Sequence, residues 1–424
     1  MSNDVNFSPG PLAKEAGNRM GLGIAPKGDP KLYLALTLWG EEYRRYFVDF
    51  CLASLLAPGN IPAIADKRAA RLLLATTEDD WRALQDEPTF VAARKHIAVE
   101  HVPFDVPAFS DNTGKMLAMS KGHKLLTRRM FEDRAQGVII FPDMIAATGF
   151  LAKIEELWRG GAAAIMFMNV RFANETLTQE LGECGLLRRG MPLALSSRDL
   201  VRLTIRHMHS EMARGGFENK CRNDRCESVF WIVGRGQDLV FHCGCWIPLL
   251  IDYRTLAAHD DSTFDQWTLD GDYAARNFSD SRELYVVRDT DDLMLVSITP
   301  ESKIHYSLAP IPEYWFPPVR RSRKILDMHG YLYKVVRLDW LKAELFRQPV
   351  RFRGGSATEA EWRKQERRAA QIVRRIERGG TWLDQFWASC VYPLRLCLHV
   401  RDFTMVRVRR FRAWRTRNSL GRSL

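Results

Sequence analysis

Runs of consecutive apolar, β-branched residues alternate with helical patterns over the first half of the chain. Leu32 to Leu38 is almost wholly apolar and leads into a helical pattern over Glu41–Leu56, stopped by Pro58-Gly59-Asn60. Arg71–Thr76 reads as a second strand, followed by a helix from Thr77 to Leu84, and Ile97–Phe104 as a third strand. A basic helical stretch, Lys115–Glu132, precedes the run Gly137-Val138-Ile139-Ile140-Phe141. Pro142 cannot donate to a sheet ladder, so that strand should end there and leave Asp143 on the loop past its carboxyl end. A helix over Thr148–Arg159, a fifth strand over Ala162–Val170 and a helix over Ser197–Ala213 continue the alternation. Strands that are apolar on both faces and alternate with helices predict an α/β protein with a doubly wound, mostly parallel sheet.

From Ser228 the pattern shortens. Ser228–Val233 and Asp238–His242 read as a hairpin about Gly234-Arg235-Gly236. Pro248–Asp252, Leu284–Arg288 and Asp292–Thr299 read as further strands, expected as antiparallel additions on one sheet edge. Acidic loops, Asp260–Thr263 and Leu269–Asp272, lie between them. The expected division is a disordered leader over 1–29, a main domain over 30–300, a closing segment over 301–347 and a basic, aromatic-rich helical C-terminal extension over 348–424.

Charge sharpens that last boundary. The chain of 424 residues carries +11, yet from Lys342 onward 20 Lys/Arg stand against 7 Asp/Glu, a local +13, so the preceding part is near −2. Between Trp382 and Arg415, Trp, Phe and Tyr alternate with arginines, a composition that suits an anionic membrane surface. It also suits nucleic acid, weighted lower, or a subdomain with a basic outer face. The first residues show no basic region followed by an apolar one, which predicts no secretory signal and a cytoplasmic location, peripheral on the inner face of the membrane. Eight cysteines in this length read as reduced thiols. The Cys221/Cys226/Cys243/Cys245 set has C-x4-C and C-x-C spacing, which leaves loose thiols and a structural zinc both open.

Ligands of open α/β sheets sit beyond the carboxyl ends of the strands. That places Asp143 first among candidates, with Thr37, Trp39 and Gly40 ending the first strand and Thr76 ending the second. Lys121, Lys124 and Arg128 share one helix face that would stabilise a diphosphate if it overhung the crevice. His242 at a strand end is a candidate metal ligand. Asp270 is a candidate base within Leu269-Asp270-Gly271-Asp272. Each also has a structural reading: a capping Asp, a buried hydroxyl, a solvated cationic face, a hydrogen-bonded His, an Asp-Gly turn.

Thr37-Leu38-Trp39-Gly40, the basic helix feeding Val138–Asp143, His242…Pro248 and Thr268–Asp272 together resemble the GT-A-like nucleotide-diphospho-sugar transferase superfamily, over roughly Lys31–Thr299. The likeness is to bacterial glycosyltransferases with a single Pro-Asp in place of Asp-x-Asp. It implies transfer of a sugar from a nucleotide-diphospho-sugar donor to a glycan, lipid or protein acceptor, assisted by Mn2+ or Mg2+. By the same resemblance Asp143 and His242 hold the metal, Asp143 also meets the donor diphosphate, Thr37 lies by the nucleotide and Asp270 by the acceptor. Phe141 stands where the first Asp of the motif would be, which leaves fewer carboxylates for a metal. The competing expectation is a catalytically silent fold of this type that binds membrane or nucleic acid through its arginine-rich tail.

Overall fold

A computed structural model describes residues 31–106, 112–219, 226–302 and 316–390. The expected leader, Cys221 and the tail beyond Cys390 lie outside them. Seven strands build the central sheet: β1 (Leu32–Thr37), β2 (Ala70–Thr76), β3 (Ala98–Pro103), β4 (Gln136–Ile139), β6 (Ala164–Phe167), β10 (Ile247–Asp252) and β11 (Leu284–Val286). Their order is β11-β6-β10-β4-β1-β2-β3. β1 pairs in parallel with β2 and β4, β2 with β3, and β11 with β6. β1 is buried at every position, as a strand covered on both faces must be.

One expectation of the sequence is corrected. Pro248–Asp252 does not join an edge; β10 runs antiparallel between β4 and β6 in the sheet interior. Pro248 is tolerated because it stands near the strand's start, where the register with β6 shifts between Pro248 and Leu250. Leu284–Val286 does take an edge, as β11, but runs parallel to β6 where an antiparallel addition is expected, and the remaining short strands leave the main sheet. β5 (Met144–Ala146), β12 (Leu295–Thr299) and β7 (Arg171–Ala173) form one small sheet in the order β5-β12-β7. The predicted hairpin, β8 (Ser228–Val233) and β9 (Asp238–Cys243), forms another with β13 (Val350–Arg353). Val350 pairs with Phe241, so the chain beyond residue 348 is stitched into the hairpin.

This arrangement encloses two hydrophobic cores. The larger lies about the central sheet. The smaller gathers Trp231 of β8, Ile325 and Met328 of helix Pro317–Tyr331, and Trp362, Ile372 and Ile376 of helix Glu359–Glu377. Thr358 and Glu361 close a reciprocal capping box at the start of that last helix.

The loops and helices that leave the strands shape the carboxyl edge of the main sheet. After β1, Gly40 takes φ +79, the left-handed region open to glycine, and donates its N–H to Asp80 Oδ2 at 2.8 Å. Asp80 also accepts from Arg44 at 2.6 Å and from the Thr77 hydroxyl at 2.8 Å, locking the β1 and β2 exits together. The helix that leaves Gly40 runs as Glu41–Tyr46, widens to a π-helical turn over Phe47–Cys51 and closes as Leu52–Leu55. The basic helix spans Asn112–Glu132 and passes over the end of β1 through Gly122. Among the described residues no helix is long and apolar enough to cross a membrane.

Candidate functional site

Asp143 lies in the turn after β4, as Pro142 dictates. Its carbonyl accepts from Ile298 N–H at 2.7 Å, which pins the loop to β12. The residue is half-buried. Burial pushes its carboxyl above the ordinary range, opposed by the charges of Arg171 and Lys115 and by its own backbone N–H. Two cations from different elements, the start of the basic helix and the first residue of β7, therefore act on one carboxylate.

Lys115 is held in place by Tyr43, donating to its hydroxyl at 2.8 Å and standing 4.5 Å from its ring centre. Tyr46, one turn on, donates to Glu42 at 3.3 Å. Burial first, then Glu42, Tyr43 and Asp143, drive the Tyr46 phenol strongly upward, so it stays a neutral hydrogen-bond donor. Arg171 pairs with Glu211 at 3.3 Å. Beside Tyr46 opens a cleft of about 720 Å³ that also takes in Glu42, Arg45, Asp49 and Arg188. Its volume is that of a small-molecule site.

The other predicted residues divide. Trp39 and Gly40 stand at the mouth of the same edge, with Trp39 half-buried and its ring 6.1 Å, edge to face, from Phe104. Thr37 and Thr76 end β1 and β2, but both are buried and neither hydroxyl has a hydrogen-bond partner. A Cβ built on Gly122 falls 2.6 Å from Thr37 Oγ1, so the basic helix covers Thr37. Lys121 donates to the Asp105 carbonyl at 3.2 Å, beside the end of β3. Lys124 turns to the acidic loop instead, 2.5 Å from Asp265 and 3.7 Å from Asp261, and Arg128 pairs with Asp261 as well.

Asp270 caps the helix Gly271–Asn277, accepting from Asp272 N–H at 2.8 Å. That helix starts beside Trp246, just ahead of β10, whose first residue pairs with Phe167 at the carboxyl end of β6. Asp270 thus belongs to the same sheet edge as Asp143, with no contact joining the two. Burial and the neighbouring Asp272 raise its carboxyl to about 7, against the pull of Lys342.

His242 sits elsewhere. It is fully buried in β9, between Trp231 and Phe346. A carbonyl can only accept, so Nδ1 donates to Phe346 O at 2.9 Å and Nε2 keeps its lone pair, without a partner. Burial lowers the imidazole to about 4. Among the described residues no three His, Cys, Asp or Glu side chains converge on a metal position. Asp143 lies in the turn before β5 and His242 inside β9, and the charges that act on Asp143 are those of Arg171 and Lys115; the two predicted ligands do not form one donor set for a divalent ion. Cys226, Cys243 and Cys245 are free thiols, Cys226 and Cys243 directing their sulfurs to the carbonyls of Ser228 and Cys245.

Sequence pattern alone does not single out Lys115 or Arg171. Arg171 carries a signal all the same, a lone cation directly after the apolar run ending at Val170. Nor does pattern mark His123, which is buried against Phe141 with neither ring nitrogen bonded, and burial lowers it to about 3.

No family model matches the chain, and no curated relative matches it. Among solved structures it is similar to the mannosyltransferase PcManGT of Pyrobaculum calidifontis, in complex with GDP-Man and Mn2+, at 10% identity and TM-score 0.29 over 91% of this chain and 87% of that one. It is similar to mouse xyloside xylosyltransferase 1 at 14% identity and TM-score 0.21, over 39% and 62%. It is also similar to the bifunctional glycosyltransferase WbbM at 11% identity and TM-score 0.23, over 34% of this chain and 24% of that one. This chain thus spans less than two thirds of the latter two proteins. At such scores these likenesses carry no argument about individual residues.

Proposed function

We propose that the protein is a glycosyltransferase that takes a sugar from a nucleotide-diphospho-sugar donor bound at the carboxyl edge of the main sheet. One observation carries the reading: the charges of Arg171 and Lys115 act on Asp143 at the exit of β4, and Tyr46, on which the charge of Asp143 acts in turn, lines a cleft of small-molecule size. Negative charge accumulates on the leaving nucleoside diphosphate as the glycosidic bond breaks. Two cations fixed before the reaction are suited to that charge, because they need not reorganise when it appears.

In this reading Trp39 offers its face to the nucleobase, Lys121 borders the same end of the site, and Lys115 and Arg171 meet the diphosphate. Tyr43 positions Lys115 and Glu211 positions Arg171, and the charges of both act on Asp143. Mn2+ or Mg2+ would supply the same charge stabilisation, but Asp143 and His242 do not come together as its ligands. Asp270, with its carboxyl raised to about 7, is the group that takes the proton of an acceptor hydroxyl. A glycan, a lipid and a protein all present such a hydroxyl.

The test is calorimetric titration of UDP and GDP into the wild-type protein, Asp143→Ala and Lys115→Met, each with Mn2+ and with EDTA. Expected is binding of one nucleotide that survives EDTA and weakens at least tenfold in Lys115→Met, the loss of one charge-assisted contact. Absence of binding by both nucleotides in every condition would overturn the donor site for these two bases.

A further inference from the structure

The helix Pro317–Tyr331 opens with no acidic residue in its first turn and places Arg320 and Arg321 there instead. Helices favour the opposite, because the dipole makes the N-terminus positive already. Here the two side chains border a pocket of about 370 Å³ that Arg368 of helix Glu359–Glu377 also lines. The pocket floor is built. Lys324 is buried and donates to the carbonyls of Gly216, Phe217 and Asn219 at 3.1, 2.9 and 2.8 Å, and to Asn219 Oδ1 at 3.0 Å. It thereby ties that segment to the helix. Glu218, the one acid among the described lining residues, is taken by Arg368 at 2.7 Å. Arg320 Nε is buried with no hydrogen-bond partner. Burial and the charges of Arg375 and Arg368 hold the Arg321 guanidinium below its ordinary range. Among the described residues neither Arg320 nor Arg321 is paired with a carboxylate.

An apolar ridge adjoins the pocket. Phe316, next to the lining Pro317, packs edge to face on Trp387 at 5.5 Å, and Trp387 on Phe386 at 5.1 Å. On the helix Trp382–Ser389, Trp382 is 78% exposed, Phe386 53% and Leu383 41%. The ridge is rigidly set relative to the pocket, since Asp384 accepts from Ser322 at 2.8 Å and pairs with Arg375. Exposed Trp, Phe and Leu on one helix face beside a cationic pocket is the arrangement of a surface that lies in a membrane interface.

We propose that this pocket binds the phosphate of an anionic lipid headgroup while Trp382, Leu383 and Phe386 enter the acyl boundary. The proposal is independent of the sugar-transfer reading. It narrows the sequence expectation for 382–415 to the part of that stretch before Cys390 and adds a pocket from the helix Pro317–Tyr331.

The experiment is cosedimentation of the full chain with vesicles of phosphatidylcholine alone and of phosphatidylcholine mixed with phosphatidylglycerol. Variants are Arg320→Ala/Arg321→Ala and, on the ridge, Trp382→Ser/Phe386→Ser, with circular dichroism to confirm the fold. Lys324 is left intact because it is structural. Expected is binding to the mixed vesicles only, weakened about thirtyfold by the double arginine change, from two basic side chains at an anionic surface. The ridge variant, which keeps every pocket residue, should lose binding also. Inorganic phosphate at high concentration should compete only weakly. Equal binding to both vesicle types, unchanged binding by the arginine variant, or capture of single-stranded RNA in preference to vesicles would each overturn the proposal.

Discussion

Gly122 meets Thr37 with no room for a methyl group between them: a Cβ at Gly122 would lie 2.6 Å from Thr37 Oγ1 and 3.0 Å from Thr37 Cβ. A glycine in the middle of a helix of 21 residues costs stability relative to alanine, about 1 kcal/mol. The close approach is what retains it. Gly122→Ala should therefore destabilise the protein by about 1–3 kcal/mol despite its better helix propensity. Thr37→Ala in the same chain should recover part of the loss, measured by urea unfolding. An increase in stability from Gly122→Ala alone would show that the helix can slide off β1.

That contact also separates what local pattern reveals from what it cannot. The strand β4, read from the sequence as Gly137–Phe141 and observed as Gln136–Ile139, is legible with its stop before Pro142 because a missing N–H is a local fact. The helix over the β1 exit is legible as a helix, yet nothing nearby in sequence says that Gly122 seats it on Thr37 or that Lys124 reaches Asp265. The interior position of β10 is hidden for a related reason. Pro248 reads as an edge residue, and only the register shift beside it explains its place between β4 and β6. Asp143 could be found from one strand; Lys115 and Arg171 could not be joined to it without the fold, since they arrive from the basic helix and from β7.

Two buried imidazoles make the fold sensitive to acid. Burial lowers His123 to about 3 and His242 to about 4, against about 6.5 for a free side chain. As pH falls through 6.5 the unfolded chain takes up protons that the folded one refuses, so their contribution is complete above that value and is lost on the way down, to about 4 for His242 and about 3 for His123. Each is worth on the order of 3 kcal/mol across that window. His123→Phe, in a site already bordered by Phe141 and Phe264, should leave stability at pH 8 nearly unchanged and flatten the decline between pH 6.5 and 4. Thermal unfolding measured across that range tests it, and an unaltered slope would show that His123 is hydrated or bonded in the fold.

Asp270 has the opposite sign. Its carboxyl is raised from about 3.9 to about 7, so the stability associated with its protonated form is present below pH 4 and is lost as pH rises through 7. Asp270→Asn keeps a good helix cap and removes the charge, so it should stabilise the protein at pH 8 more than at pH 5. As acceptor base, Asp270 acts only once ionised, and turnover should climb with pH to a plateau above about 7. The same substitution should lower turnover about a hundredfold, the usual scale for a lost general base, and abolish that rise. Measured together, the two curves separate the roles. A stability gain with turnover and its pH profile intact would leave Asp270 a strained cap and move the search for the base to another group on the sheet edge.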